Sequence, residues 1–309
     1  MERVLSVKAF GALAALALCG CNVASASQAV AKIEDAQHSD AMVRFGKVCE
    51  DWDDWDKPTE PFKIHGNTWY VGTCGIAALL IRGPEGAVLI DTGTAKGSEA
   101  IAANIEKIGV RLSDVKAILG SHEHFDHVGG LARMQALTGA PVVVGAGAVE
   151  VIRTGKDDPR DPQAGLHDPM APVTGPLTAA ADGEVLTIAG LEITAVATPG
   201  HTIGAMSWQW ESCDTSGCRM IVYADSLSPV SADAYRFTDH PDYVAMFRKG
   251  IARLRPLECG MLLTPHPSAS DMLARARTGT MEGGISCADY ADSKTKALDA
   301  RLAKEAASK

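Results

Sequence analysis

Three histidines and an aspartate, His122, His124, Asp126 and His127, crowd the run Ser121-His-Glu-His-Phe-Asp-His127. Imidazole nitrogen and carboxylate oxygen are donors that divalent zinc prefers, and no strand or helix core needs so many of them at once. His122 and His124 are two apart and can face one point. Asp126 and His127 can then turn toward a neighbouring point. The spacing suits two adjacent metal ions better than one. A lone His-x-His is ambiguous between a ligand pair and a solvated polar turn. Four donors directly after an apolar strand point to a metal centre.

The elements that must position these donors read as follows. Val115-Lys-Ala-Ile-Leu-Gly120 reads as a buried strand, and a helix opens at Val128-Gly129-Gly130. The donors thus sit on a loop at the carboxyl end of a strand, where open α/β sheets place their sites. Two later histidines stand in comparable places. His201 follows the strand 191–197 through Thr198-Pro199-Gly200, and His266 follows the strand 261–264 within Pro265-His266-Pro267. The six donors divide into threes: His122, His124 and His201 for one zinc, Asp126, His127 and His266 for the other. Three protein ligands leave an open position on each ion, the mark of a catalytic zinc. A hydroxide can bridge the two, since metal binding lowers the pKa of water toward ~7. His38, His65, His167 and His240 lack neighbouring donors and read as surface or capping groups, with His167, by its place in the long 151–176 stretch, the one that could approach a substrate.

Around these loops the pattern alternates strand and helix in two halves. Short strands are expected at 68–73, 76–81 and 87–91, with a turn at Glu85-Gly86, then a helix over 96–108 with Ile101, Ile105 and Ile108 on one face. A helix at 130–137 and a strand at 141–144 complete a β-α-β unit. Further strands are expected at 183–188, 206–210 and 220–223, and helices at 243–254 and 287–309. The stretch 151–176, rich in Pro, Gly and charge, is either a wall over the site or a tolerated insertion. Asp51-Trp-Asp-Asp-Trp-Asp56 reads as a surface turn whose tryptophans pack down. Residues 27–42 read as a mobile lead-in.

The formal charge of −9 over 309 residues argues against a nucleic-acid partner held through its phosphates. No internal apolar run reaches ~18 residues, so no membrane span is expected in the mature chain. Arg3 and Lys8 precede a short apolar core, 9–18, in the manner of an export signal. Residues 1–26 then form a signal peptide cut after Ala24-Ser25-Ala26, leaving 27–309 as a single domain. The competing reading is a lipoprotein signal, 1–20, with Cys21 acylated; Cys19 is atypical within such a signal, and simple secretion is preferred. A periplasmic location follows. In an oxidising compartment the six remaining cysteines, Cys49, Cys74, Cys213, Cys218, Cys259 and Cys287, suggest disulfides. Fifteen pairings are open, and Cys213 with Cys218 is the easiest local one.

The segments His122-x-His124-x-Asp126-His127, Gly200-His201 and Pro265-His266-Pro267 resemble the metallo-β-lactamase superfamily. Gly66-Asn-Thr-Trp-Tyr-Val-Gly-Thr-Cys-Gly75, Tyr223-Ala-Asp-Ser-Leu-Ser228 and Leu263-Thr-Pro-His-Pro-Ser-Ala-Ser270 are similar to its subclass B3, and within that to the AIM-like enzymes. The resemblance implies an αββα sandwich: two central mixed sheets, helices outside, two zincs at one edge. It implies disulfides Cys49–Cys74, Cys213–Cys218 and Cys259–Cys287. It implies hydrolysis of a β-lactam amide by a metal-bound hydroxide that Asp126 orients, antibiotic resistance as the consequence, and a monomeric chain. Ser226 and Ser228 match positions that hold the substrate carboxylate. Thr202 and Gln163 would line the pocket, and Asp91 would orient the metal site from behind. The same fold hosts lactonases, thioesterases and phosphodiesterases, some with an aspartate bridging both metals, and Asp225 lies in the comparable turn. An exported zinc-binding protein without catalysis is the reading from a different class.

Overall fold

The computed structural model describes residues 39–308. The export-signal and Cys19/Cys21 readings, and His38, lie outside the described residues. A helix, α1 (39–48), begins inside the stretch expected to be a mobile lead-in. Its Ala41, Met42 and Phe45 are buried, spaced so that one helical face enters the core.

Seven strands follow chain order across the first sheet. They are β1 (Phe62–His65), β2 (Thr68–Tyr70), β3 (Leu79–Gly83), β4 (Gly86–Ile90), β5 (Val115–Leu119), β6 (Val142–Gly145) and β7 (Leu177–Ala180). The first four pair antiparallel, with Gly83 opposite Gly86 at the β3–β4 hairpin. From β4 to β7 pairing is parallel. Parallel neighbours need crossovers. Helix α2 (Gly97–Lys107) joins β4 to β5. Helix α3 (Phe125–Val128) and helix α4 (Leu131–Thr138) join β5 to β6, and helix α5 (Val149–Thr154) precedes β7.

The second sheet has β8 (Val185–Ile188), β9 (Leu191–Ala197), β10 (Met206–Asp214), β11 (Gly217–Tyr223) and β12 (Met261–Leu263). Only β12 pairs parallel to its neighbour. Strands β10 and β11 run further than expected, so Cys213 and Cys218 face each other across their hairpin and are bonded. Two more disulfides join Cys49 at the end of α1 to Cys74, and Cys259 to Cys287.

Side chains of period two explain the layering. On β3 and β4, Leu79, Ile81, Val88 and Ile90 point into the space between the sheets, while Leu80, Ala87 and Leu89 face α2 and α4. On the other sheet, Ile221, Tyr223, Met261 and Leu263 point inward to meet them. Val222 and Leu262 point outward against helices α6 (Pro241–Leu254) and α8 (Cys287–Ala307), between which in the chain lies the short helix α7 (Met272–Arg277). The result is a helix–sheet–sheet–helix sandwich with mixed sheets. Each such aliphatic side chain contributes ~1.5–3 kcal/mol on burial, so the double-sided strands are what hold the sheet ends in register. Because β9, β11 and β12 run in one sense, the loops after them open at one edge. So does the loop after β5.

Candidate metal centre

Ser121 opens the loop after β5. Its backbone N–H and its hydroxyl donate to the two oxygens of Asp91, each at 2.7 Å. The Tyr223 hydroxyl donates to the same carboxylate at 2.9 Å. Asp91 sits at φ 60°, a left-handed backbone costing roughly 1–2 kcal/mol for a residue with a Cβ, which these bonds hold in place. Burial pushes its carboxyl up to about 6, against the opposing pull of His127, Ser121 and Tyr223. Asp91 Oδ2 stands 3.8 Å from His127 Nδ1, so it braces the donor loop from behind.

The six expected donors come together in two adjacent threes. Donor atoms of His122, His124 and His201 lie within 4.8 Å of one another. Their rings stand 4.7–5.0 Å apart, centroid to centroid, at 80–90°, as three faces around one point. In the second group Asp126 Oδ2 is 3.1 Å from His127 Nε2 and 3.4 Å from His266 Nε2, and those two nitrogens are 3.3 Å apart. Zinc–ligand bonds of about 2.0–2.1 Å in tetrahedral array put ligand atoms about 3.3 Å apart. Those separations, and the buried Nε2 of His122 with no protein partner, fit a divalent cation.

The electrostatics agree. Burial holds His122 and His201 well below their ordinary pKa, and lowers His266; neutral imidazole is the ligating form. At His124 and His127 burial also pulls down, but nearby carboxylates outweigh it and the pKa rises. Asp126 is buried too, yet its histidine neighbours hold it well below the usual carboxylate range. Carboxylates that favour a proton on these rings favour a metal cation for the same reason.

Most rings are oriented by an outer partner. His201 Nδ1 lies 2.8 Å from the Ser228 carbonyl, and His266 Nδ1 3.3 Å from the Gly75 carbonyl. His122 Nδ1 stands 2.9 Å from Asp225 Oδ1, although out of hydrogen-bonding alignment. His124 Nε2 donates to Asp161 Oδ2 at 3.0 Å. Sequence reasoning missed Asp161, one of several acids in the 151–176 stretch with nothing to single it out. It missed Glu123 as well. That buried side chain accepts from the Thr202 hydroxyl at 2.6 Å and from the Gly204 N–H at 2.8 Å, tying the β5 loop to the turn that carries His201. Gly200 shapes that turn: at φ 154° its α-carbon lies so close to Phe247 that an added Cβ would meet the ring at 2.1 Å.

A cavity of about 220 Å³ opens between the two donor groups. Ser226, Ser228 and Gln163 line it. Thr202 does not: its hydroxyl is turned inward, fully buried on Glu123, which corrects its expected place in the pocket. The tryptophans of the acidic segment are also corrected. Trp52 and Trp55 form the pocket's aromatic wall rather than packing down, with Trp52 66% exposed. Their rings lie 5.6 Å from His266 and 5.4 Å from Phe125 respectively. His167 lines the pocket too, 4.0 Å from the Phe125 ring. The 151–176 stretch is therefore a wall of the site. His65 is buried beside Asp214, and His240 stacks on Tyr235, both away from it.

Known proteins similar to this chain share that architecture. The MIM-2 metallo-beta-lactamase is 48% identical and superposes with a TM-score of 0.81 over 86% of this chain and 98% of its own. MEM-A1, a subclass B3 metallo-beta-lactamase from a soil metagenome library, is 40% identical, with a TM-score of 0.79 over 83% and 100%. The family model of the metallo-beta-lactamase superfamily matches residues 71–215.

This chain belongs to the metallo-beta-lactamase superfamily. Within it the chain falls in subclass B3, a group of hydrolases. A more distant superfamily relative is the hydroxyacylglutathione hydrolase of Rhodopseudomonas palustris (strain HaA2), 30% identical over 220 residues, 66% of this chain and 73% of that protein. The metallo-beta-lactamase fold implies a divalent metal, and the two donor groups are where this chain has residues to hold it. No helix among the described residues is long and apolar enough to cross a membrane.

Proposed function

We propose that this chain hydrolyses the amide bond of β-lactams (penicillins, cephalosporins and carbapenems) with two zinc ions, and so confers antibiotic resistance. His122, His124 and His201 would hold one ion, Asp126, His127 and His266 the other. The observation that carries the reading is the pocket itself. Metal-ligand donors form one side, and on another the Ser226 hydroxyl is buried with no partner. A bicyclic β-lactam presents a reactive carbonyl and, a short distance away, a carboxylate, which such a pocket can hold at both ends. Zinc supplies a water of lowered pKa and a Lewis acid for the carbonyl. The chain's own part is positioning. Asp126, anionic among histidines, orients the attacking water. Ser226 and Ser228 donate to the substrate carboxylate, and Gln163 borders the same pocket. Trp52, Trp55 and Val230 cover apolar substituents and exclude water. We further read 27–309 as one periplasmic domain, monomeric, freed from signal 1–26 or anchored at Cys21.

The hydroxyacylglutathione hydrolase likeness supports a second reading, another dinuclear zinc hydrolase of this fold. Asp225 argues against it. Its carboxylate is fully buried, accepts from the Leu227 N–H at 3.2 Å and lies behind His122, outside the pocket lining, so it does not bridge the two donor groups. The test is to compare kcat/KM for a penicillin and a carbapenem with that for an acylglutathione thioester. Preference for the thioester would reverse the assignment.

A further inference from the structure

Lys294 lies on α8, one turn beyond Tyr290, and sequence reasoning gave it no role. Its Nζ is 3.0 Å from Ser228 Oγ and 4.7 Å over the Tyr290 ring. The Tyr290 hydroxyl in turn reaches the Ser226 carbonyl at 3.0 Å. Two residues one turn apart on this helix therefore brace the serine segment from behind, and Lys294 is not itself part of the pocket wall. An ammonium has three donors and no acceptor. Where it donates to Ser228 Oγ, the hydroxyl proton must point elsewhere. It goes to the Ser226 carbonyl at 3.1 Å, from which it can swing to an arriving anion. Ser226 Oγ beside it is already without a partner.

We propose that Lys294 is a positioning residue for substrate: acting through Ser228, it makes this wall a receptor for the substrate's carboxylate. The inference rests on reading the pocket as a β-lactam site. The ammonium fixes the Ser228 hydroxyl as a donor and sets a full positive charge one hydrogen bond behind the anion's seat. Burial pulls its pKa down to about 8, with Asp225 acting in the other direction, so it carries its charge at neutral pH. No bond is made or broken at Lys294; its effect is on binding and orientation.

The test uses the zinc-loaded mature chain with K294M, which keeps the stem over Tyr290 and removes the charge, and K294R, which restores charge. Substrates are a penicillin and its methyl ester, identical except for the anion. For the penicillin, K294M should raise KM about tenfold, the effect of a unit charge some 6 Å away at an intermediate effective dielectric, with kcat changed far less. K294R should recover most of the loss, and the ester should show no difference among the three proteins. An unchanged KM in K294M would overturn the proposal. So would an equal loss on acid and ester, which would mean a structural role. S228A reads the same contact from the other side: it should raise KM for the acid alone, and equal effects on acid and ester would again overturn the proposal. No β-lactam turnover by the unaltered chain would instead sink the reading of the pocket, and this inference with it.

Discussion

Asp161 offers a quantitative test of how the donor groups are held. Its Oδ2 accepts from His124 Nε2 at 3.0 Å, and its Oδ1 from the Gln163 N–H at 2.7 Å. Both partners are donors, so both oxygens must accept. An asparagine offers one acceptor and leaves the other donor facing an NH2 group. D161N should therefore lose one of the two bonds, and D161A both. Loss of an outer partner to a ligating histidine typically weakens metal binding by about 10- to 100-fold, which is ~1.4–2.7 kcal/mol. We expect D161N near the lower figure and D161A near the upper, with the loss confined to the zinc on His122, His124 and His201. Asp161 also helps raise the His124 pKa, so in acid it favours the proton that competes with zinc. The deficit should accordingly shrink as pH falls. The assay is zinc competition with a chromophoric chelator, at neutral and at mildly acid pH. Unchanged zinc affinity in D161A would refute the reasoning.

Other expectations follow from single contacts. E123A leaves both the Thr202 hydroxyl and the Gly204 N–H without their acceptor; it should cost ~1–3 kcal/mol of stability in a denaturant melt, and E123Q, whose NH2 can donate to the Thr202 oxygen while its carbonyl keeps the Gly204 N–H, should cost less. Removing the Cys259–Cys287 disulfide, which spans 28 residues, should cost about 3.6 kcal/mol by loop-closure entropy, read as a lower Tm than that of the oxidised parent. In a pH profile, kcat/KM for an acidic β-lactam reports the free enzyme. The Lys294 charge is present below its pKa of about 8 and lost above it, so kcat/KM should fall through that range. Asp225 faces the ammonium from the end of β11 and Tyr290 lies beneath it; the tyrosine's own pKa is raised well above its ordinary value by burial. K294R should remove this fall, and a profile unaltered by the substitution would contradict the assignment.

The donor loop was legible because its residue types are costly anywhere else: three histidines and an aspartate after an apolar strand have few bland explanations. Strands such as β3, β4 and β11 were legible because runs of apolar residues are bounded by Gly, Pro or Asp. The strand β7 was not, since Leu177-Thr-Ala-Ala180 is largely exposed and carries no alternation to betray its parallel pairing. Asp161 and Glu123 were invisible because their partners lie 37 and 79 residues away in the chain, and local sequence does not encode which acid meets which donor. The same holds for Lys294, one of several lysines on a terminal helix rich in Ala, Lys and Glu. Trp52 and Trp55 misled in the opposite direction. Aromatic residues in an acidic turn suggest burial, whereas here tilted and edge-on ring contacts with His266 and Phe125 keep them at the pocket.

The central claim is that two adjacent donor groups hold zinc and that hydrolysis of β-lactams depends on it. The direct measurement is zinc content per chain alongside turnover of a penicillin and a carbapenem, first after chelation and then during stepwise return of zinc. We expect two zincs per chain, turnover abolished by the chelator, and activity returning with the metal. A chain that binds two zincs and opens neither β-lactam, or one that opens them equally well without metal, would contradict the account.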